Sequence, residues 1–173
     1  MQTDTIKATA TPEEILHPGS RALFRYWEAV RGEMSAPPRD WLDLQKIRSL
    51  VPFLFMIERT PTRGFAWRLA GTKVCELWGM ELTGMPAMAQ GERFERETVT
   101  RLLDGVIDDH QPFVLRFRLS SAKGMTVAAE FVGAPLRARN NAATYVFGVI
   151  MPFREANWPR HDSVTTFELS AAR

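Results

Sequence analysis

The sequence predicts an α+β fold: one antiparallel five-stranded sheet with helices on one face and an amphipathic helix at the N-terminus. Three observations lead there. The run Phe65-Ala-Trp-Arg-Leu-Ala-Gly-Thr72 reads as a strand that switches directly into a short helix. Phe65, Trp67 and Leu69 alternate, as a half-buried strand requires. A two-strand hairpin precedes a helical stretch and three alternating strands follow it, an order that closes most simply into a single sheet.

The elements follow in chain order. Thr11-Pro-Glu-Glu14 has the form of a capping box, and Pro18-Gly19 reads as an interruption after it. Ser20 then caps a helix over 21–31, with Leu23, Phe24, Trp27 and Val30 along one side. Asp43 caps a second short helix through Leu50, and Pro52 marks its end. Phe55 and Ile57 begin the sheet, Pro61-Thr-Arg-Gly64 turns the chain, and the strand 65–70 returns. Thr72 is placed to cap the following helix and Gly79 to stop it. A longer helix spans 93–108, with Phe94, Leu102 and Val106 on its apolar stripe. Three alternating strands end the pattern, around Phe113–Leu119, Val127–Val132 and Tyr145–Ile150. The aromatic side of each strand is expected to face the helices. The other side keeps Met56, Val114, Val146 and Ile150, so it needs cover, from the helix 21–31 of the same chain or of a partner.

Composition bounds the classes of function. The chain has 173 residues, 45% of them hydrophobic and 24% charged, which suits one globular domain. A net charge of +2 is no footprint for nucleic acid. One cysteine, Cys75, leaves no intramolecular disulfide, so a reducing compartment is expected. The N-terminus has no apolar signal stretch and no run reaches membrane-spanning length. The expectation is a cytoplasmic protein without membrane insertion. It divides into a mobile N-terminal arm (1–19), a domain (20–152) and a polar C-terminal tail (153–173).

Several segments then carry a resemblance. They are Arg25-Tyr-Trp27, Val30-Arg-Gly32, Pro38-Arg39 with Asp43, Leu50-Val-Pro52, Arg68-Leu-Ala-Gly-Thr72, Leu77-Trp-Gly79, Glu81-Leu-Thr-Gly84 and Ala134-Pro-Leu136. Together they resemble a stand-alone PAS-fold family of the PAS_5 type, first catalogued as uncharacterised and mainly alphaproteobacterial. The likeness covers about 20–152 and is densest before residue 90. It implies a sensory or regulatory domain that binds small ligands or partner proteins, and it defines no catalytic residues. This chain departs from the pattern with Trp41 and Trp78, which bear on the size of any pocket.

The candidate ligand pocket lies between sheet and helices, lined by Trp67, Leu69, Val74, Trp78, Met85, Met88, Phe94, Leu102, Phe117 and Phe147. Such cavities are mostly apolar, although the same residues would serve equally as a filled core. The glycine-interrupted stretch 79–92 is the natural mobile lid. The candidate dimer or partner face is Leu23, Phe24, Trp27 and Val30. Cys75 reads as a small packed hydrophobe, without the motif of a flavin-adduct thiol. His110, in Asp-Asp-His-Gln-Pro, reads as a solvated turn and not a haem ligand. Haem and flavin are therefore both set aside, no cofactor is expected, and the three histidines lack metal-ligand spacing. Asp104, Asp108 and Asp109 read as solvated helix positions, and Arg116, Arg118 and Glu130 as exposed cross-strand pairs. The expected function is non-enzymatic signal transduction through a small ligand, a signalling partner or a homodimer. The alternatives are a ligand-free adaptor and a small α+β enzyme with a polar-lined cavity.

Overall fold

The computed structural model describes residues 10–62, 64–87, 93–139, 143–154 and 164–169. Strands β1 (Leu54–Thr60), β2 (Gly64–Ala70), β3 (Phe113–Ser121), β4 (Thr126–Arg137), β5 (Ala143–Pro152) and β6 (Val164–Leu169) form one sheet. Its order is β2-β1-β5-β4-β3-β6, and every neighbouring pair is antiparallel. The first five strands are those that the alternation predicts. The sixth is not: it lies within the expected polar tail and pairs with β3, Arg118 opposite Glu168 and Leu119 opposite Phe167.

Among the described residues, three α-helices complete the fold: α1 (Pro18–Arg31), α2 (Thr72–Trp78) and α3 (Arg93–Asp109). Pro18 does not interrupt α1 but begins it, because the first helical position needs no N–H donor. The cap is His17, whose Nδ1 accepts the Gly19 N–H at 3.0 Å, and Ser20 is an interior residue with no exposure. Asp43 caps its helix as expected, through the Gln45 N–H, but that helix, Leu44–Phe53, is a 3-10 segment kinked at Ile47. Thr72 falls one residue inside α2, with Gly71 at the cap position, and Gly79 ends the helix in the left-handed region at φ 69°.

The two faces of the sheet carry separate cores. Inside, α2 and α3 cover Phe55, Ile57, Trp67, Phe113, Phe117, Phe131 and Ile150 with Val74, Leu102, Leu103 and Val106. Outside, α1 and the 3-10 segment cover Leu54, Met56, Val132, Leu136, Phe147 and Val149 with Leu23, Phe24, Trp27 and Ile47. The chain thus covers its own second face. Residues 10–17 also pack onto it: Ile15 is buried, and the Ala10 N–H donates to Pro112 O at 2.9 Å.

At the centre of the inner face, Gly133 of β4 stands opposite Gly148 of β5. The rings of Phe55 and Phe113 fill the space above them. A Cβ on Gly148 would lie 2.5 Å from the Phe55 ring and 1.9 Å from Val132 O; one on Gly133 would lie 2.5 Å from the Phe113 ring. Phe131 lies between the two rings, 4.6 Å from Phe55 and 4.9 Å from Phe113 by centroid. Gly148→Ala is expected to destabilise the fold by about 2–4 kcal/mol, as a forced overpacking against backbone. Urea unfolding measures this, with Gly105→Ala as the control, since a Cβ there meets nothing closer than 3.8 Å.

Candidate functional site

The inner face carries a continuous line of aromatic rings. Trp78, on α2, meets Trp67 of β2 edge-on at 6.0 Å, and Trp67 meets Phe55 of β1 at 6.2 Å. Phe131 continues the line to Phe113 and to Phe117, the latter at 6.0 Å. Of the predicted pocket residues, Trp67, Val74, Leu102 and Phe117 are buried here, and Trp78 and Met85 are half-buried against them. Met88 lies outside the described residues. Phe94 falls in the first turn of α3, and its side chain is outside the described set.

Leu69 and Phe147 are corrections, because both lie on the opposite face in the outer core. The register of β1 with β2 slips between Met56 and Ile57, so that Met56 faces Leu69 while Ile57 faces Trp67. Arg68 is the extra residue of this bulge, and it rotates Leu69 away from the side that Trp67 shares. On β5, Phe147 pairs with Met56, so the aromatic parity of that strand points outward and Val146 and Ile150 point inward. Trp41 is no part of the inner face either. It is 58% exposed and borders a surface groove of about 370 Å³ with Tyr26, Ala29, Val30 and Lys46.

The predicted lid is stitched down over its described part. Trp67 N–H donates to Met85 O, Gly84 N–H to Trp67 O and Ala87 N–H to Phe65 O, at 2.7–2.9 Å. These bonds run residues 84–87 along the edge of β2. The predicted partner face is also corrected: Leu23, Phe24 and Trp27 are buried against the chain's own sheet, and Trp27 Nε1 donates to Pro135 O at 3.0 Å. Val30 is half-buried at the rim of the groove.

The polar groups that sequence reasoning sets on the surface are tied into the fold. Asp104 and Asp108 of α3 both accept from Arg59 Nη1 of β1, at 3.2 and 2.8 Å. Half-buried His110 follows α3 at φ 56°. The Cys75 thiol lies 3.7 Å from Ala70 O and 3.8 Å from Glu81 Oε1. Burial pushes its pKa up and the Glu81 charge adds to this, so the thiol is protonated and a poor nucleophile. Among the described residues, no three His, Cys, Asp or Glu side chains are grouped to hold a metal ion.

Glu130 departs most from its reading as an exposed pair. It has no exposed surface, although it sits on the outer face of β4. Its carboxylate accepts the N–H groups of Leu16 and His17, both at 2.9 Å, and Arg116 Nε at 3.2 Å. Arg116 also donates to Glu14 O. One buried acid therefore fastens the segment before α1 to the sheet. The signal that could have found it is a lone acid within the apolar run Val127–Val132.

Residues 15–151 match the PAS_5 family, described as a PAS domain. This chain belongs to that family of PAS domains. No curated protein matches its sequence. Solved structures similar to this PAS domain include an RNA-binding light-oxygen-voltage receptor, at 16% identity and a TM-score of 0.47 over 66% of this chain and 33% of that one. A LOV protein of Rhodobacter sphaeroides is another, at 12% identity and a TM-score of 0.45 over 67% of this chain and 71% of that one. The PAS domain thus spans about a third of the length of the first neighbour. The exclusion of flavin drawn from the sequence is corrected by these neighbours, which are light-oxygen-voltage proteins, and it is withdrawn.

Two outcomes follow from the Glu130 clamp. Glu130→Ala is expected to cost about 3–5 kcal/mol, because it strands a partly buried guanidinium and two amides. Amide exchange at Leu16 and His17 should accelerate with it. His17 gives the second. Burial holds its imidazole below the ordinary 6.5, against the opposing pull of Glu130. The ring must be neutral to accept from Gly19. Its contribution to stability is therefore complete above pH 6.5 and is lost as the pH falls from there toward the folded-state value. Urea midpoints at about pH 7.5 and about pH 5.5 should differ more in the native protein than in His17→Asn, which keeps a capping side chain without the titration.

Proposed function

We propose that this PAS domain is a non-enzymatic sensory or regulatory module in signal transduction, and that a small molecule held between β1, β2, α2 and α3 is its signal. The observation that carries this reading is the aromatic line from Trp78 to Phe131, set among apolar side chains in its described part and roofed by the short helix α2 and the longer α3. Ligand sites are lined in this way, with few polar groups. Nothing on the inner face offers a base beside a nucleophile among the described residues. Asp104 and Asp108 of α3 are engaged by Arg59, and the one thiol is protonated. A ligand would act here by binding two arrangements of the roof unequally. The segment that runs from Gly84 to Ala87 along β2 is the part it would displace or hold.

A second reading is favoured by the closeness of the rings themselves. With Phe131 4.6 Å from Phe55 and 4.9 Å from Phe113, the centre of the inner face is already occupied by the protein. The domain would then be an adaptor for a signalling partner or a second copy, with no ligand.

A thermal-shift screen of small apolar and aromatic compounds, flavins included, separates the two. At a hundredfold excess over Kd, a true ligand stabilises by about 2.7 kcal/mol, or roughly 5–10 °C for a domain of this size. Leu102→Phe, which intrudes on the inner face, should abolish that shift while the protein remains folded. An absence of any shift, with retained association by light scattering, would reject the sensor in favour of the adaptor.

A further inference from the structure

Among the described residues, four arginines have carboxylate partners: Arg59 with Asp104 and Asp108, Arg68 with Glu58, Arg116 with Glu130, and Arg139 with Asp40. Arg31 and Arg137 are treated differently. Both are half-buried where the end of α1 meets the end of β4, and among the described residues neither is in an ion pair. Both reach the same residue. Arg31 Nη1 donates to Met34 O at 3.0 Å, and Arg137 Nη2 lies 3.1 Å from Met34 Sδ. A thioether is a weak acceptor for a charged donor. The Nε of each arginine is shielded from solvent and has no partner. An orphaned buried donor is costly, and more so on a charged group.

The surroundings hold both side chains in place. Arg31 lies over the Trp27 ring, its guanidinium carbon 5.1 Å from the centroid. Trp27 is itself fixed by its bond to Pro135 O. The Arg137 N–H donates to Pro37 O at 2.9 Å, which pins the loop after α1 against β4. Two guanidinium groups, each with terminal N–H donors left over, are therefore held on a rigid frame beside Met34.

We propose that Arg31 and Arg137 form a binding site for the phosphate group of a small molecule. Each guanidinium has five N–H donors, and Arg31 uses one of them on a strong acceptor. A carboxylate has two oxygens, which one guanidinium fork satisfies; a phosphate has oxygens enough for two forks and the charge to balance both. The site lies on the outer face, apart from the aromatic line, and stands whether or not the inner face holds a ligand.

The test uses the whole chain and inorganic phosphate as the probe. Proton–nitrogen spectra of the arginine Nε–H groups are followed during titration at constant ionic strength, with Arg31→Lys and Arg137→Lys supplying the assignments. The expected result is a saturable shift of the Arg31 and Arg137 resonances that exposed Arg25 does not follow, and a loss of affinity of about tenfold or more in Arg31→Met. The lysine variants keep the charge and serve only for assignment, so the wild-type titration decides the matter even if Arg31→Met fails to fold. The proposal is overturned if the two resonances do not move, if they drift without saturation in step with Arg25, or if acetate saturates them as tightly as phosphate does.

Discussion

The contact on which this architecture rests is that of aromatic rings against a sheet stripped of side chains at its centre. Gly133 and Gly148, paired across β4 and β5, let Phe55 and Phe113 lie directly on the backbone. That sets the height of everything above. Phe131 fits between the rings, Trp67 and Trp78 extend them toward α2, and α3 lays Leu103 and Val106 on the same layer. Each aromatic side chain buries some 150–250 Å², a gross gain of roughly 4–6 kcal/mol by area. A side chain at either glycine would lift the rings and the helical roof with them.

The two faces are held by different physics. The inner layer is apolar throughout its described part, and dispersion and burial organise it. The outer layer has an equally apolar stripe from α1, but its entry segment is fastened by a fully buried carboxylate. Apolar contact tolerates sliding, whereas hydrogen bonds to a buried charge fix one geometry. This PAS domain is thus built with a roof seated mainly by packing, tied at its margins by Arg59 and by residues 84–87, and a back whose register is pinned at Glu130.

Alternation and punctuation made much of this legible. Five strands, the long helix α3, the left-handed stop at Gly79 and the cap at Asp43 all follow from local chemistry that tertiary contacts do not override. What was illegible needed knowledge of partners. The bulge at Arg68 leaves no mark on the pattern Phe65, Trp67, Leu69, so Leu69 reads as inward when the register has turned it outward. On β5 both parities are apolar, so period alone cannot say whether Phe147 or Val146 meets α3. Glu130 reads as solvent-facing because its cover comes from residues over a hundred positions away. Strand β6 escaped because its β-branched and aromatic content, Val164-Thr-Thr-Phe, sits among polar residues. Trp41, an aromatic in a connector, is exposed although its type suggests burial.

The path of residues 84–87 has a consequence for assembly. Terminal strands expose a row of unpaired amides and carbonyls on which foreign chains can polymerise. At the β2 margin that row is already answered by the chain itself, through Gly84, Met85 and Ala87. Lengthening the sheet from this side would first require peeling away the backbone that leads toward α3. The stretch that closes the core therefore also guards the protein against edge-to-edge aggregation.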